Sequence, residues 1–153
     1  MNRGACVQDF LKVARFAGVS LEKSELVVEH LPAPHSPPGL PLGKMAVYVF
    51  SFGEITLKVG KAGPNSNARY RSQHYSPASA ASTLAASLLK GAEEIGVIGL
   101  DQDNVGAWIR ANTSRTNFLL DAGLGVPVLT LLESFLQCRL KPVFEGFASQ
   151  RVT

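Results

Sequence analysis

The feature that most constrains this chain is a proline-rich stretch, Leu31-Pro-Ala-Pro-His-Ser-Pro-Pro-Gly-Leu-Pro41, which holds five of its nine prolines. Proline fixes φ and has no backbone N–H, so the stretch denies both a helix and a central strand and predicts an extended connector. The 153 residues then divide into an N-terminal helical extension (1–31), the connector (32–43) and a main domain (44–149). A chain of this length can bury a core of its own.

Before the connector, hydrophobic spacing predicts two helices. The first, about Val7 to Ala17, sets Val7, Phe10, Leu11 and Ala14 on one face; the second runs from the N-cap residue Ser20 to about His30. After it, Met45–Phe52 is rich in β-branched and aromatic residues, and Ile55–Gly60 alternates apolar with polar. Gly53-Glu54 separates these two runs, so a β-hairpin is predicted. A strict two-residue turn puts Tyr48 on the same face as Val59 and Lys61, and one inserted residue reverses that for the whole strand.

Further on, helices are predicted from Arg69 to about His74, from Ser79 to about Ile95, and around Val105, Trp108 and Ile109. A third strand falls at Thr116–Leu120. The last helix runs from about Val126 to Leu140, with Pro127 early in it and Pro142 beyond it. The pattern is α+β: a small three-stranded antiparallel sheet flanked by helices. Trp108 reads as a packing anchor, and His30 and His35, bordering the connector, as solvent-facing.

Cys6 and Cys138 are the only cysteines and form no CxxC or Cys/His cluster. That argues against a disulfide scaffold or structural zinc and for free thiols in a cytoplasmic protein, with Cys138 packing in its helix. Gln8, Asp9, Lys12 and Arg15 interrupt any apolar leader, and no run approaches the ~18 apolar residues needed to span a bilayer. No membrane partner is expected.

Two constellations point to chemistry. From Ile55 to Ala92 there is no acidic residue, whereas Lys58, Lys61, Arg69, Arg71 and Lys90 all occur. Four of them gather at the hairpin exit and the following helix. Forked guanidinium groups there suit phosphate, and Tyr70, His74 and Tyr75 add donors and stacking faces. On the last helix, Glu133 sits just past the edge of an apolar arc. A carboxylate so placed calls for a cation, a strong donor or an exit to water.

Ala46-Val-Tyr48, Lys58-Val-Gly-Lys61, Arg69 and a helical Glu133 occur in the order that resembles the GIY-YIG nuclease superfamily, over about residues 44–146. In that family two motif strands form a hairpin, a helix with an essential Arg follows, and a later helix carries a metal-binding Glu. The resemblance implies an endonuclease that hydrolyses phosphodiester bonds with one Mg2+ (or Mn2+). Tyr48 positions or deprotonates the attacking water. Lys61 assists that phenol or contacts phosphate. Arg69 stabilises phosphate charge, and Glu133 is the single metal ligand.

This chain has Ala46 where Gly is usual and Lys58 where the second tyrosine is usual. The partner of the essential Arg has two registers: Arg69 with His74, or Arg71 with Tyr75. Pro142-Val-Phe-Glu145 places Glu145 where the family tends to have Asn, so that this carboxylate either joins the metal sphere or is solvated. Lys58, Arg71, Tyr75, Arg115 and Asn117 are the expected nucleic-acid-binding residues. The implied partner is DNA, with RNA open. No separate sequence-reading domain is visible, so specificity would come from loops, the N-terminal helices, a homodimer or a partner protein. Small family members suggest a role in restriction, phage defence or mobile-element processing.

Overall fold

The computed structural model describes residues 1–80 and 82–144; Glu145 and the rest of the expected domain end lie outside the described residues. The fold is α+β. Helix α1 (Arg3–Phe16) starts at Asn2, whose side chain accepts from the Ala5 N–H at 3.0 Å. Strand β1 (Leu26–Leu31) follows, then the connector, then strands β2 (Lys44–Phe52) and β3 (Ile55–Ala62). Helices α2 (Asn67–Arg71), α3 (Leu84–Gly91) and α4 (Val105–Asn112) precede strand β4 (Ser114–Asp121), and α5 (Val126–Leu140) comes last.

The sheet has four strands in the order β1-β4-β2-β3, every pair antiparallel. Two expectations are corrected here. The region read as a second helix contributes β1, so the sheet gains a fourth strand and residues 26–31 belong to it. Val27 and Val28 are β-branched and pair with Leu119 and Phe118, and ladder pairing outweighs the weak helical spacing of the segment. The helix expected from Ser79 forms only over α3, with Thr83 as its N-cap accepting from Ala86 N–H at 3.1 Å, and ends in a 3₁₀ turn, Ala92–Ile95.

Register decides which side chains share a face. Phe52 pairs with Ile55 across the Gly53-Glu54 turn, but Phe50 pairs with Lys58, so a bulge at Leu57 shifts the strand by one residue. Tyr48 therefore lies opposite Gly60, on the face of Lys58, while Val59 and Lys61 point to the other side. One face, with Met45, Val47, Val49, Val59, Phe118 and Leu120, packs against Phe10 of α1 and Leu129, Leu132 and Leu136 of α5. The other, with Tyr48, Phe50 and Leu57, packs against Tyr70 and Tyr75, Leu84 and Leu88 of α3 and Ile109 of α4. Trp108 packs on Phe52, with ring centroids 5.2 Å apart.

The connector is anchored, and His35 within it is buried rather than solvent-facing. Its backbone N–H bonds Arg110 O at 2.9 Å, and its ring reaches Thr113 O at 2.7 Å and the Tyr75 hydroxyl at 2.8 Å. His30 is exposed, as expected. Cys6 and Cys138 are free thiols; Cys6 is in the core, but Cys138 is exposed on α5 instead of packing. No helix among the described residues is long and apolar enough to cross a membrane.

Candidate active site

Lys61, at the end of β3, is the point on which four elements converge. Its backbone carbonyl accepts from the Tyr48 hydroxyl of β2 at 3.3 Å and from Arg69 Nε of α2 at 3.2 Å. Its ammonium points to the other side of the sheet and donates to Glu133 Oε2 of α5 at 2.6 Å. The bulge at Leu57 makes this possible, because it sends the Tyr48 phenol and the Lys61 ammonium to opposite faces while their shared backbone stays adjacent. Tyr48, Lys61, Arg69 and Glu133 are thus brought together.

Gly60 explains the motif glycine. A Cβ there would lie 3.0 Å from the Tyr48 hydroxyl and 2.8 Å from its Cε2, the latter a distance real Cβ atoms essentially never show. The missing side chain is the space in which the phenol lies.

His74 completes the buried half of the site. Its Nδ1 accepts from Leu84 N–H at 3.1 Å, and its Nε2 lies 2.6 Å from the Tyr48 hydroxyl. A backbone N–H donates only to an unprotonated ring nitrogen, so the ring proton sits on Nε2 and His74 donates to the Tyr48 oxygen. The tyrosine proton is then directed at Lys61 O. Burial, followed by the charges of Arg69, Lys58 and Arg115, holds the His74 pKa well below the ordinary 6.5. His74 is a fixed neutral donor toward Tyr48 and cannot at the same time be its base.

Burial also pushes the Tyr48 phenol up to about 12; Arg69 and Arg115 pull it down, and Glu133 adds to the rise. Tyr48 and His74 have no exposed surface. Lys61 and Arg69 are partly exposed, and the Glu133 side chain keeps 17% exposure. The partly exposed charges of the site are therefore Arg69, on the side of the phenol, and the Lys61–Glu133 pair, on the other side of the sheet, and Tyr48 and His74 are buried beside Arg69. Arg69 adjoins the phenol through the shared Lys61 carbonyl, with NH2 reaching Ser82 Oγ at 3.5 Å.

The other sequence-predicted residues divide. Arg69 and His74 both adjoin Tyr48. Arg71 is exposed, and Tyr75 turns away to His35. Lys58, Tyr75, Arg115 and Asn117, expected on nucleic acid, are buried, because they lie on the face of the sheet covered by α3 and α4 or under α4 itself. Lys58 donates to Phe144 O at 3.1 Å, and Asn117 Nδ2 to Glu29 Oε2 at 2.9 Å. Sequence reading missed Gly60 as a steric partner of Tyr48, Leu84 N–H as the group that fixes His74, and His35. The Gly60 signal was available in the Val-Gly step; the other two depend on tertiary placement.

Among the described residues no group of three or more His, Cys, Asp or Glu could hold a metal ion. Mg2+ needs fewer protein ligands than that: one or two carboxylates, with water and substrate phosphate oxygens. A half-buried Glu133 already satisfied by a cation is a fitting donor for such an ion. Compared with protein-family models, curated proteins and solved structures, the chain matches none.

Proposed function

We propose that this chain is a divalent-metal-dependent endonuclease that hydrolyses phosphodiester bonds in DNA. The observation that carries the reading is the convergence on Lys61. Residues separated along the sequence, each with a chemical role in the resemblance to GIY-YIG nucleases, share one backbone carbonyl and one ion pair.

In this reading Arg69 and Lys61 receive the phosphate. Guanidinium and ammonium groups at a partly dry surface stabilise the charge that builds on its oxygens. Glu133 would hold Mg2+ or Mn2+, which when bound supplies Lewis-acid polarisation of the phosphate. Lys61 leaves Glu133 as its charge is taken up by the substrate. As Arg69 turns to a phosphate, the Tyr48 hydroxyl, whose oxygen His74 already orients, can position the attacking water or, once its own proton has been lost to solvent, take a proton from it.

Plasmid nicking with Mg2+ or Mn2+ tests this, with a single-stranded RNA arm for the alternative substrate. Wild type should cleave, and Glu133→Gln and Arg69→Ala should lose at least about a hundredfold in rate, the scale of a removed transition-state donor. Full activity in Glu133→Gln would remove the metal-ligand role. A second reading, a non-catalytic nucleic-acid-binding module, is favoured by the complete burial of Tyr48. Salt-sensitive DNA binding by a wild type that cleaves nothing would select it.

A further inference from the structure

Arg115 is a fully buried cation on the central strand β4. The ion pairs among the described residues are Lys12–Asp9, Lys44–Asp121, Lys61–Glu133 and Arg139–Asp9, and none involves it. Its Nε donates to Asn117 Oδ1 at 2.7 Å and its NH1 to the Tyr75 hydroxyl at 3.3 Å; NH2 has no hydrogen-bond partner among the described residues. The guanidinium carbon lies 4.5 Å from the Tyr70 ring centroid, 4.8 Å from that of Tyr48 and 5.2 Å from that of Phe50. Tyr48, Tyr70 and Tyr75 are the chain's three tyrosines, and Arg115 meets all of them.

Taking a guanidinium out of water is costly, and aromatic faces return only part of that cost. A neutral side chain of similar volume would pack the same space more cheaply. What it would lack is the charge. We propose that Arg115 is a positioning residue for the candidate nuclease site, a fixed positive charge held against Tyr48 that stabilises negative charge on its phenol oxygen. The purpose of this device rests on the nuclease reading; its effect on Tyr48 is measurable without substrate.

The groups facing Tyr48 show why a second cation is needed. Arg69 of α2 favours the phenolate and Glu133 of α5 opposes it. His74 offers a neutral N–H, and Lys58 of β3, on the same sheet face, donates to Phe144 O. The Tyr70 ring packs edge-on. Arg69 is partly exposed and is the cation that a phosphate draws away. Arg115 cannot follow, because it is buried and tied to Asn117, which is tied in turn to Glu29. Its charge stays when that of Arg69 is shared with substrate.

The test places 3,5-difluorotyrosine, more acidic than tyrosine, at position 48 and follows its ionisation in the folded protein by ¹⁹F resonance. Arg115→Met should raise the ionisation pH by about one pH unit, the low end for a lost neighbouring charge, and Arg115→Lys by less. An unchanged titration in folded Arg115→Met overturns the proposal. Should that variant fail to fold, Asn117→Asp combined with Glu29→Gln keeps the hydrogen-bond chain but seats a carboxylate on Arg115. It should raise the titration in the same direction, and no change again overturns the proposal. Cleavage by wild type with an unmoved titration removes only the role of Arg115. A shifted titration in a protein that cleaves nothing leaves the effect on Tyr48 standing and removes the nuclease reading.

Discussion

The two faces of the sheet are built by different rules. Against α1 and α5 the buried layer is apolar: Phe10, Val47, Val49, Phe118, Leu132 and their neighbours. Against α3 and α4 the same sheet buries Lys58, Arg115, Asn117 and His74 among aromatic rings, each with specific hydrogen-bond partners. Burying an apolar side chain stabilises by area alone, whereas each buried polar group must be matched or it destabilises. One face supplies stability, and the other spends some of it to fix the protonation and direction of a few groups. Lys61 stands where the two meet.

The largest loss of stability should come from the apolar face. Phe10→Ala, at a site with no exposure, should cost about 3–5 kcal/mol in chemical denaturation. A loss near zero would mean that α1 is not part of the cooperative unit. On the polar face Gly60→Ala should cost roughly 1–3 kcal/mol, because the Tyr48 ring must leave its place, and any nuclease activity should fall with it. Wild-type activity in that variant would detach Tyr48 from the reaction.

The pH dependence should also separate the faces. Folded His74 and His35 hold protons less tightly than the unfolded chain, whose histidines titrate near 6.5. The unfolded state therefore gains protons first, and stability should be complete above about 6.5 and fall as pH drops below it. Tyr48 and Tyr70, pushed up from 10.0 to about 12, act in the opposite sense: stability is full below 10.0 and is lost as pH rises toward about 12. Urea denaturation across pH should show the acid limb flatten in His74→Gln and the alkaline limb flatten in Tyr48→Phe. Leu132→Ala should lower the whole curve without changing its shape. The smallest effect on stability, under about 1 kcal/mol, should come from Glu133→Gln, since its ion pair with Lys61 is partly exposed. That variant should nonetheless be the one in which any cleavage is most reduced.

What the sequence made legible was what neighbours along the chain decide. The hairpin strands and Val126–Leu140 emerge within two residues of expectation, because alternation, a turn glycine and flanking prolines are local signals. That Tyr48, Lys61, Arg69 and Glu133 are linked in space was anticipated by motif order. The strand at Leu26–Leu31 was not, because its character is settled by pairing with β4. Nor was the fate of Arg115 and Asn117: polar residues in a strand read as an edge until the strand is known to be central. The facing of Tyr48 depended on the single extra residue at Leu57, which no composition rule marks.

The position of β4 carries a consequence for how the chain reaches this state. Among the described residues it is the only strand that pairs with β1, and 88 residues separate Glu29 from Asn117 across that ladder. During synthesis the N-terminal strand must wait, unpaired, while β2 and β3 close their local hairpin. Pairings so remote in sequence make folding slow relative to stability and leave strand edges open in the meantime. The intervening time is when this protein is most exposed to aggregation, and stabilising α1 against the early hairpin is where a designer would shorten it.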